Sequence, residues 1–379
     1  MELSEIREQI NTVDEQLLAL FLQRMELSEA VAAYKNEHHL PILNKQRERE
    51  ILAKVTERAG DKERYAYHLF STLMELSRSR QAELISAPTR VAAQVKASLA
   101  AGSEVFPQTG LVACQGVEGA NSQVACDRIV PRGNIVYVKS FEAVFSAVES
   151  GLCRFGVVPI ENSSTGAIRQ VYELLGRYEC YIVGENTVKV EHCLMAPHGA
   201  TLDTITHVYS HEQGLFQCEP FLARHPGWVG VAHGDTAGSA QYVAQTGDIT
   251  KAAICSSRAA ELYGLEILAR GVNYNSNNTT RFVVVSPVME LREGADKISA
   301  VLSLPDEVGS LHEVLTIFAV HGLNLVKLES RPLPGRSWEY LFFLEFDGSL
   351  ADPAMDGALQ ELSQASAEMR VLGNFKSNL

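Results

Sequence analysis

Two cations on the first predicted helix have the spacing of a binding surface. Arg24 and Lys35 are 11 residues apart, which at about 100° per residue places them within roughly 20° of each other on one helix face. Arg7 points about a right angle away, so in a dimer it could reach a partner's pocket. Guanidinium and ammonium groups that share a face bind anions, carboxylates above all. The spacing would allow a basic pocket in a chain of net charge −13.

The next two predicted helices add polar groups that suit such a pocket. The second helix begins with Asn44, Arg47 and Glu48, and the third carries Ser77 and Gln81 side by side at i, i+4. The alternative is that the arginine side chains are solvated and that Arg47 and Glu48 form an ordinary surface pair. Spacing alone leaves both interpretations open.

Polar side chains also flank predicted strands in the middle of the chain, where open α/β sheets bind ligands. Residues 159–166 (PIENSSTG) gather Glu161 and Asn162 into one loop, and residues 210–218 (SHEQGLFQC) follow another strand. Residues 277–282 (NNTTRF) lead into a third. Apolar strands rarely end in so many polar groups without a ligand, although a helix cap would explain the serines.

The residues do not indicate a metal site. His207, His211 and Glu212 are close in sequence, but they straddle a strand end rather than one helix face, so the i, i+4 zinc geometry fails. The seven cysteines are an odd number and none forms a C-x-x-C pair, which argues against a disulfide framework and a zinc site. We expect no metal and no cofactor.

Hydrophobic periodicity divides the chain into three patterns. Residues 1–85 contain one glycine and one proline, and their three-four apolar spacing predicts helices ending near residue 38 and spanning about 44–58 and about 62–84. Short apolar strands then alternate with helices through two consecutive lobes. The last segment reads βαββαβ, the ferredoxin-like order.

These patterns predict a multidomain fold. We expect an all-α helical domain at residues 1–87, a linker at 88–108, a two-lobed α/β domain like a periplasmic binding protein at 109–288, and an α+β ferredoxin-like domain at 297–376. Because three helices make a thin core, we expect a homodimer or higher homo-oligomer through the long first helix.

Charge and hydropathy exclude several classes of partner. A chain this acidic is not expected to bind nucleic acid. Its apolar runs are too short to span a bilayer, so no membrane partner is expected. The first residues (MELSEIREQ) lack the apolar core of a secretory signal. The sequence therefore predicts a cytoplasmic protein.

The helical segment resembles the all-helical chorismate mutase family. The resemblance rests on residues 6–24 (IREQINTVDEQLLALFLQR), on Lys35 and on the N-x-x-R-E that begins at Asn44. It implies a dimer of interlocked subunits. The chain departs from the family at Asn44, where many members have Asp. The rearrangement of chorismate to prephenate needs no nucleophile or proton shuttle, only a locked conformer and stabilised charge on the ether oxygen.

The same resemblance implies a role for each pocket residue. The partner subunit's Arg7, together with Arg24 and Arg47, would bind the two carboxylates of the substrate. Lys35 and Gln81 would donate to the ether oxygen and Glu48 would take the substrate hydroxyl, with Ser77 and Asn44 in support.

The middle segment resembles prephenate dehydratase. PIENSSTG, GEN (184–186), His192, SHEQ, DTAGSA (235–240), SSRAA and TRF occur in the family's order. The resemblance implies that Thr280, the first residue of TRF, is essential. Its hydroxyl would protonate the leaving hydroxide while carbon dioxide departs, and Glu161 is the rival acid. The implied substrate-binding set is Asn162, Ser163, Ser210, Gln217, Thr236, Thr280, Arg281 and Phe282.

The last segment resembles an ACT regulatory domain. From the residues alone, 306–311 (DEVGSL) would be a helix cap and 329–332 (ESRP) a strand exit. The resemblance implies that two such segments from two subunits bracket L-phenylalanine, although the first reads G-S-L-H and departs from the family at two positions. The implied effector residues are Gly309, Ser310, Leu311, Glu329, Ser330, Arg331 and Pro332.

Two hypotheses follow. The first is a bifunctional enzyme of L-phenylalanine biosynthesis that converts chorismate to prephenate and prephenate to phenylpyruvate, under feedback inhibition by L-phenylalanine. The second is a small-molecule binding protein whose helices only dimerise. A pure dimerisation helix needs no Arg24, Lys35, Glu48 or Gln81. Because these and Thr280 are all present, the sequence favours the enzyme.

Overall fold

The computed structural model describes residues 2–85, 93–95, 97–98, 108–332 and 340–377. The helical domain consists of three helices and one 3₁₀ turn, and the predicted ends agree with them within about one residue. Most of the predicted linker lies outside the described residues. The helices are α1 (Leu3–Glu37), α2 (Lys45–Ala59) and α3 (Glu63–Leu84), with the turn at Gly60–Lys62.

The first half of α1 has no packing partner among the described residues of its own chain. Residues 2–20 are all exposed, and they include apolar side chains such as Ile10 and Leu17, each 52% exposed. Only the second half packs against α3, where Ser28 and Ala32 are buried. An apolar stripe of this length in water is typical of a helix that packs against a second chain.

The middle of the chain forms two lobes, each built on its own sheet. The first sheet has the order β2-β1-β3-β11-β5, with the short β4 beside β3; β1 runs parallel to β2 and β3, whereas β11 is antiparallel to β3 and β5. Its strands are β1 (Thr109–Gln115), β2 (Arg132–Val138), β3 (Phe155–Asn162), β4 (Gly166–Ala167), β5 (Tyr181–Lys189) and β11 (Thr279–Ser286). Its helices are α4 (Asn121–Ile129), α5 (Phe141–Glu149) and α6 (Arg169–Arg177).

The second sheet has the order β10-β6-β9-β7-β8. The chain enters this lobe after β5 and returns through β11, so the start of β11 lies where the lobes meet. The strands are β6 (Cys193–Ala196), β7 (His207–Ser210), β8 (Val229–Ala232), β9 (Lys251–Cys255) and β10 (Glu266–Ala269). The helices are α7 (Glu212–Gln217), α8 (Glu219–Leu222), α9 (Thr236–Thr246) and α10 (Ser257–Tyr263).

The C-terminal domain has the predicted βαββαβ order, in an antiparallel sheet ordered β13-β14-β12-β15. Its sheet shares a hydrophobic core with the first lobe. The two pack so closely at Gly373 that a Cβ added there would stand 1.9 Å from the Ile182 carbonyl oxygen, so no side chain fits at this position. Its helices pack against α3. The elements are β12 (Lys297–Ser303), α11 (Ser310–Val320), β13 (Leu325–Pro332), β14 (Tyr340–Asp347), α12 (Ala354–Ala365) and β15 (Glu368–Phe375).

Candidate active sites

The helical domain assembles four of the predicted pocket residues between α1 and α3. Arg24 donates to the Leu73 carbonyl oxygen at 2.6 Å and to Ser77 Oγ. Lys35 Nζ donates to Gln81 Oε1 at 3.0 Å and to the Ile42 carbonyl oxygen. The shared helix face predicted for the two cations is confirmed by these contacts, because both reach the buried face of α3.

Partial burial sets the electrostatics of this pocket. Desolvation lowers the pKa of Arg24 and of Lys35, and in both cases the negative charge of Glu48 opposes that shift. Both groups remain cationic near neutral pH because their ordinary pKa values are high. A partly desolvated cation attracts a carboxylate more strongly than a solvated one does. The pocket is therefore suited to a small anion.

Sequence reasoning missed Arg78, which holds the carboxylate of Glu48. Its Nη1 donates to both Glu48 carboxylate oxygens, at 2.6 and 2.8 Å. Its Nη2 donates at 2.7 Å to Glu313 on α11. No local pattern indicates this arrangement, because Glu313 lies 235 residues further along the chain.

Three further predicted residues lie outside this group within one chain. Asn44 caps α2, accepting a hydrogen bond from the Arg47 backbone N–H at 3.0 Å. The Arg47 side chain is 68% exposed and pairs with Glu50 rather than with Glu48. Arg7 lies on the exposed half of α1.

A cavity of about 550 Å³ lies between the two lobes of the middle domain. It gathers five of the predicted substrate-binding residues, some from the first lobe and some from the second. They are Asn162, Gln217, Thr236, Thr280 and Phe282.

The Thr280 hydroxyl oxygen accepts a hydrogen bond from Asn162 in this cavity. Asn162 Nδ2 donates to Thr280 Oγ1 at 2.8 Å. The amide orientation is set on its other side, where Asn162 Oδ1 accepts from the backbone N–H groups of Ser164 and Thr165 at 2.9 and 3.2 Å. Because Oγ1 already accepts a hydrogen bond, its own proton is free to be donated.

A chain of buried amides continues from this pair to the second lobe. Asn162 Nδ2 also donates to Asn278 Oδ1 at 2.7 Å, and Asn278 Nδ2 donates to Gln217 Oε1 at 3.0 Å. The same Gln217 oxygen accepts from His192 Nε2 at 3.0 Å. Burial lowers the pKa of His192, which favours its neutral form. The predicted substrate-binding set omitted Asn278 and His192, although the resemblance to prephenate dehydratase includes His192 and Asn278 lies two residues before Thr280.

The two predicted serines support the walls of the cleft. Ser210 is fully buried, and its Oγ donates to the Ile254 carbonyl oxygen at 2.8 Å. Ser163 Oγ donates to the Asn277 carbonyl oxygen at 3.2 Å and accepts from the Thr279 N–H at 2.9 Å. Both serines hold backbone next to the cavity.

Arg281 and Glu161 lie on the strand face opposite the cavity. Arg281 donates to Glu345 on β14 through Nη1 and Nη2, at 2.7 and 2.9 Å. Glu161 Oε2 accepts from Lys327 Nζ on β13 at 2.7 Å. Both side chains therefore face the C-terminal domain, whereas Thr280 and Asn162 face the cleft.

The predicted effector segments occupy a helix start and a sheet edge. Gly309 has a φ of +97° and precedes α11, a conformation that favours glycine. Residues 329–332 end β13, the edge strand of its sheet, and Arg331 pairs with Glu329 at 2.9 Å. Leu311 follows Ser310 in the first turn of α11, and Ser330 and Pro332 lie on β13.

The part of the chain that the structure describes contains no metal-binding cluster and no membrane-spanning helix. No group of three or more His, Cys, Asp or Glu residues could hold a metal ion. No helix is both long and apolar enough to cross a membrane.

Comparison with known proteins agrees with this three-part architecture. The chorismate mutase type II family matches residues 6–82, prephenate dehydratase matches residues 112–290 and the ACT domain matches residues 298–364. The bifunctional chorismate mutase/prephenate dehydratase of Escherichia coli (strain K12) is 33% identical over 98% of this chain and 95% of its own length. This chain belongs to that bifunctional family. The predicted family, fold class and pair of enzyme domains are confirmed.

Two solved structures are similar to about 70% of this chain. Prephenate dehydratase from Arthrobacter aurescens in complex with L-Phe is 29% identical, with a TM-score of 0.65 over 70% of this chain and 90% of that one. GqqA, described as a novel type of quorum quenching acylase, is 31% identical, with a TM-score of 0.65 over 71% of this chain and 98% of that one.

Proposed function

We propose that the helical domain rearranges chorismate to prephenate and that the middle domain converts prephenate to phenylpyruvate, two consecutive steps toward L-phenylalanine in the cytoplasm. The observation that carries the proposal is that one chain assembles two separate donor pairs, Lys35 with Gln81 and Asn162 with Thr280. The first pair includes an ammonium group and the second includes a hydroxyl group, as the two reactions require.

In the mutase pocket, hydrogen-bond counting identifies the donors left for substrate. The Lys35 ammonium has three donors, of which two go to the Ile42 and Gln81 oxygens. The third, together with the Gln81 amide N–H groups, is left for the ether oxygen, where negative charge grows as the C–O bond lengthens. Arg24 binds a substrate carboxylate, and Glu48 accepts the substrate hydroxyl.

The pocket is completed by a second copy of the chain. The apolar stripe on the exposed half of α1 packs against the partner's helices, and the partner subunit's Arg7 binds the remaining carboxylate. Arg47 turns inward from its exposed pair with Glu50, which costs little because exposed ion pairs are weak. Asn44 and Ser77 hold α2 and Arg24 in place.

In the cleft, Thr280 is the proton donor. The ring carboxylate of prephenate leaves as carbon dioxide, its bonding electrons enter the ring, and the ring C–O bond breaks as the leaving hydroxide takes the Thr280 proton to become water. Thr280 then regains a proton from solvent, which supplies the one proton that the overall reaction consumes. Asn162 holds the Thr280 oxygen so that its O–H faces the cavity, while Gln217, Thr236 and Phe282 position the substrate. Glu161 is the weaker candidate, because its carboxylate is paired with Lys327 on the opposite strand face.

L-Phenylalanine binds the C-terminal domain between two chains, at the start of α11 and at the open edge of β13. Residues 309–311 offer backbone N–H groups at a helix start, which suit a carboxylate. Feedback inhibition follows if the amino acid binds one conformation of the enzyme more tightly than the other.

The experiment is to incubate the chain with chorismate and to follow chorismate loss and phenylpyruvate formation together. We expect both signals. Lys35→Ala should block the first, and added prephenate should then restore phenylpyruvate. Thr280→Ala should block only the second. An unmodified chain that leaves chorismate and prephenate intact would refute the proposal.

A further inference from the structure

Six charged side chains form an ion cluster between the first lobe and the C-terminal sheet. Arg281 pairs with Glu345 at 2.7 Å, with Glu185 at 2.9 Å and with Glu161 at 3.5 Å. Lys297 pairs with Glu185 at 2.6 Å and Lys327 with Glu161 at 2.7 Å. The members are Glu161, Glu185, Arg281, Lys297, Lys327 and Glu345.

The cluster is balanced and largely removed from water. Three cations face three carboxylates, so its formal charge is zero. The Glu185 and Glu345 side chains are only 2% and 6% exposed, and that of Arg281 is 15% exposed. Buried charges need partners, and removing one member leaves another uncompensated. The relative position of the two domains is therefore tied to the pairing of Arg281.

The cluster lies directly behind the Asn162–Thr280 pair. In the β3–β11 ladder, Thr280 is opposite Asn162 and Arg281 is opposite Glu161. Successive side chains of a strand point to opposite faces. On each of these two strands, one residue faces the cleft and its neighbour faces the C-terminal sheet.

We propose that Arg281 is a positioning residue for the dehydratase reaction and not a substrate ligand: its hold on Glu345 fixes β11 so that Thr280 stays within reach of Asn162 and of the substrate. This inference rests on the proposed role of Thr280. It also links the site to the effector segment, because Lys327, which holds Glu161, precedes Glu329 by two residues on β13.

The test is steady-state kinetics with prephenate on the unmodified chain, Arg281→Gln, Glu345→Gln and the double variant. Each single substitution leaves the cluster with one net charge, whereas the double variant returns it to zero. We expect each single substitution to lower kcat by about 10- to 100-fold with KM unchanged, since small misplacements of reacting groups cost up to about 10²-fold. The double variant should recover part of the loss.

The mutase rate of the same chains reports whether they are folded, and it should stay unchanged. If Arg281→Gln fails to fold, Glu345→Gln and the double variant decide the question by the same criterion. A raised KM in Arg281→Gln, with Glu345→Gln silent and no recovery in the double variant, would show that Arg281 binds substrate and would overturn the inference.

Failure of the inference is distinguishable from failure of the proposed function. If the unmodified chain forms phenylpyruvate and Thr280→Ala does not, the function stands, and full kcat in Arg281→Gln overturns the inference alone. If the unmodified chain forms no phenylpyruvate from prephenate, the proposed dehydratase function fails, and the inference fails with it.

Discussion

Arg78 holds both carboxylate oxygens of Glu48, at 2.6 and 2.8 Å, and its other terminal nitrogen binds Glu313 of the C-terminal domain at 2.7 Å. One arginine thus joins a proposed mutase residue to the first turn of α11, which begins at the predicted effector segment. The Arg78 side chain is 17% exposed, so solvent screens these ion pairs only in part.

Arg78→Gln should lower the mutase rate, because Glu48 would lose the partner that orients it. A hydrogen bond to a charged group contributes about 1.5–3 kcal/mol, which corresponds to a loss of roughly 10-fold or more. Chorismate loss measures the effect, with Arg80→Gln as the matched control, since Arg80 is half-exposed and pairs with Glu29 and Glu83. Equal mutase rates in the two variants would contradict the role given to Arg78.

Lys35→Ala should abolish measurable mutase turnover while the helices remain folded. Loss of one preorganised donor to a developing negative charge costs on the order of 10²–10³ in rate. Circular dichroism checks the fold, and Lys54→Ala, an exposed lysine on α2, is the control. Wild-type rates in Lys35→Ala would remove Lys35 from the reaction.

Thr280→Ala should stop phenylpyruvate formation and leave the mutase rate intact. The substitution removes the only side-chain hydroxyl that Asn162 Nδ2 contacts among the described residues. Thr279→Ala is the matched control, because the Thr279 side chain points to the strand face opposite that of Thr280. Prephenate consumption is the measurement, and a fully active Thr280→Ala chain would transfer the role of proton donor elsewhere.

The sequence predicted what depends on local geometry. The helix ends and the Arg24–Lys35 face follow from the 3.6-residue period, and the structure confirms both. The alternation of side chains along a strand is also local, and it places Thr280 and Arg281 on opposite faces of β11. The resemblance had put both residues in one substrate-binding set. Local sequence does not show what packs against the strand face that carries Arg281, because its partner Glu345 lies 64 residues further along the chain. Arg78 was missed for the same reason, because only tertiary packing brings Glu313 to it.

L-Phenylalanine should bind the full chain and strengthen its self-association. Gly309→Val should weaken binding, since a β-branched residue is strained at a φ of +97°. Gly227→Val is the control, because a Cβ added at Gly227 would meet open space and this glycine has no positive φ. Isothermal titration measures the affinity, and the absence of any heat with the unmodified chain would count against an effector site.

His321 connects the C-terminal helices to α3 through Glu361. Its Nε2 donates to Glu361 Oε1 at 2.8 Å, and the same oxygen accepts from Ser79 Oγ at 2.9 Å. The hydrogen bond to Glu361 raises the pKa of His321, burial opposes the shift, and the charges of Glu361 and Glu83 add to it. The protonated imidazole therefore stabilises the folded C-terminal domain through Glu361, which also accepts a hydrogen bond from Ser79 of α3.

The sign of the pH dependence follows from this raised pKa. A group with a higher pKa in the folded state stabilises fully below its unfolded value, about 6.5 for histidine, and that contribution is lost as pH rises through the folded pKa. The denaturation midpoint of the unmodified chain should therefore fall over this range more steeply than that of His321→Asn. His198→Asn is the control, because the His198 side chain is 84% exposed. Midpoints that fall equally in His321→Asn and the unmodified chain would show that His321 does not carry this dependence, because the remaining ionisable groups are common to both.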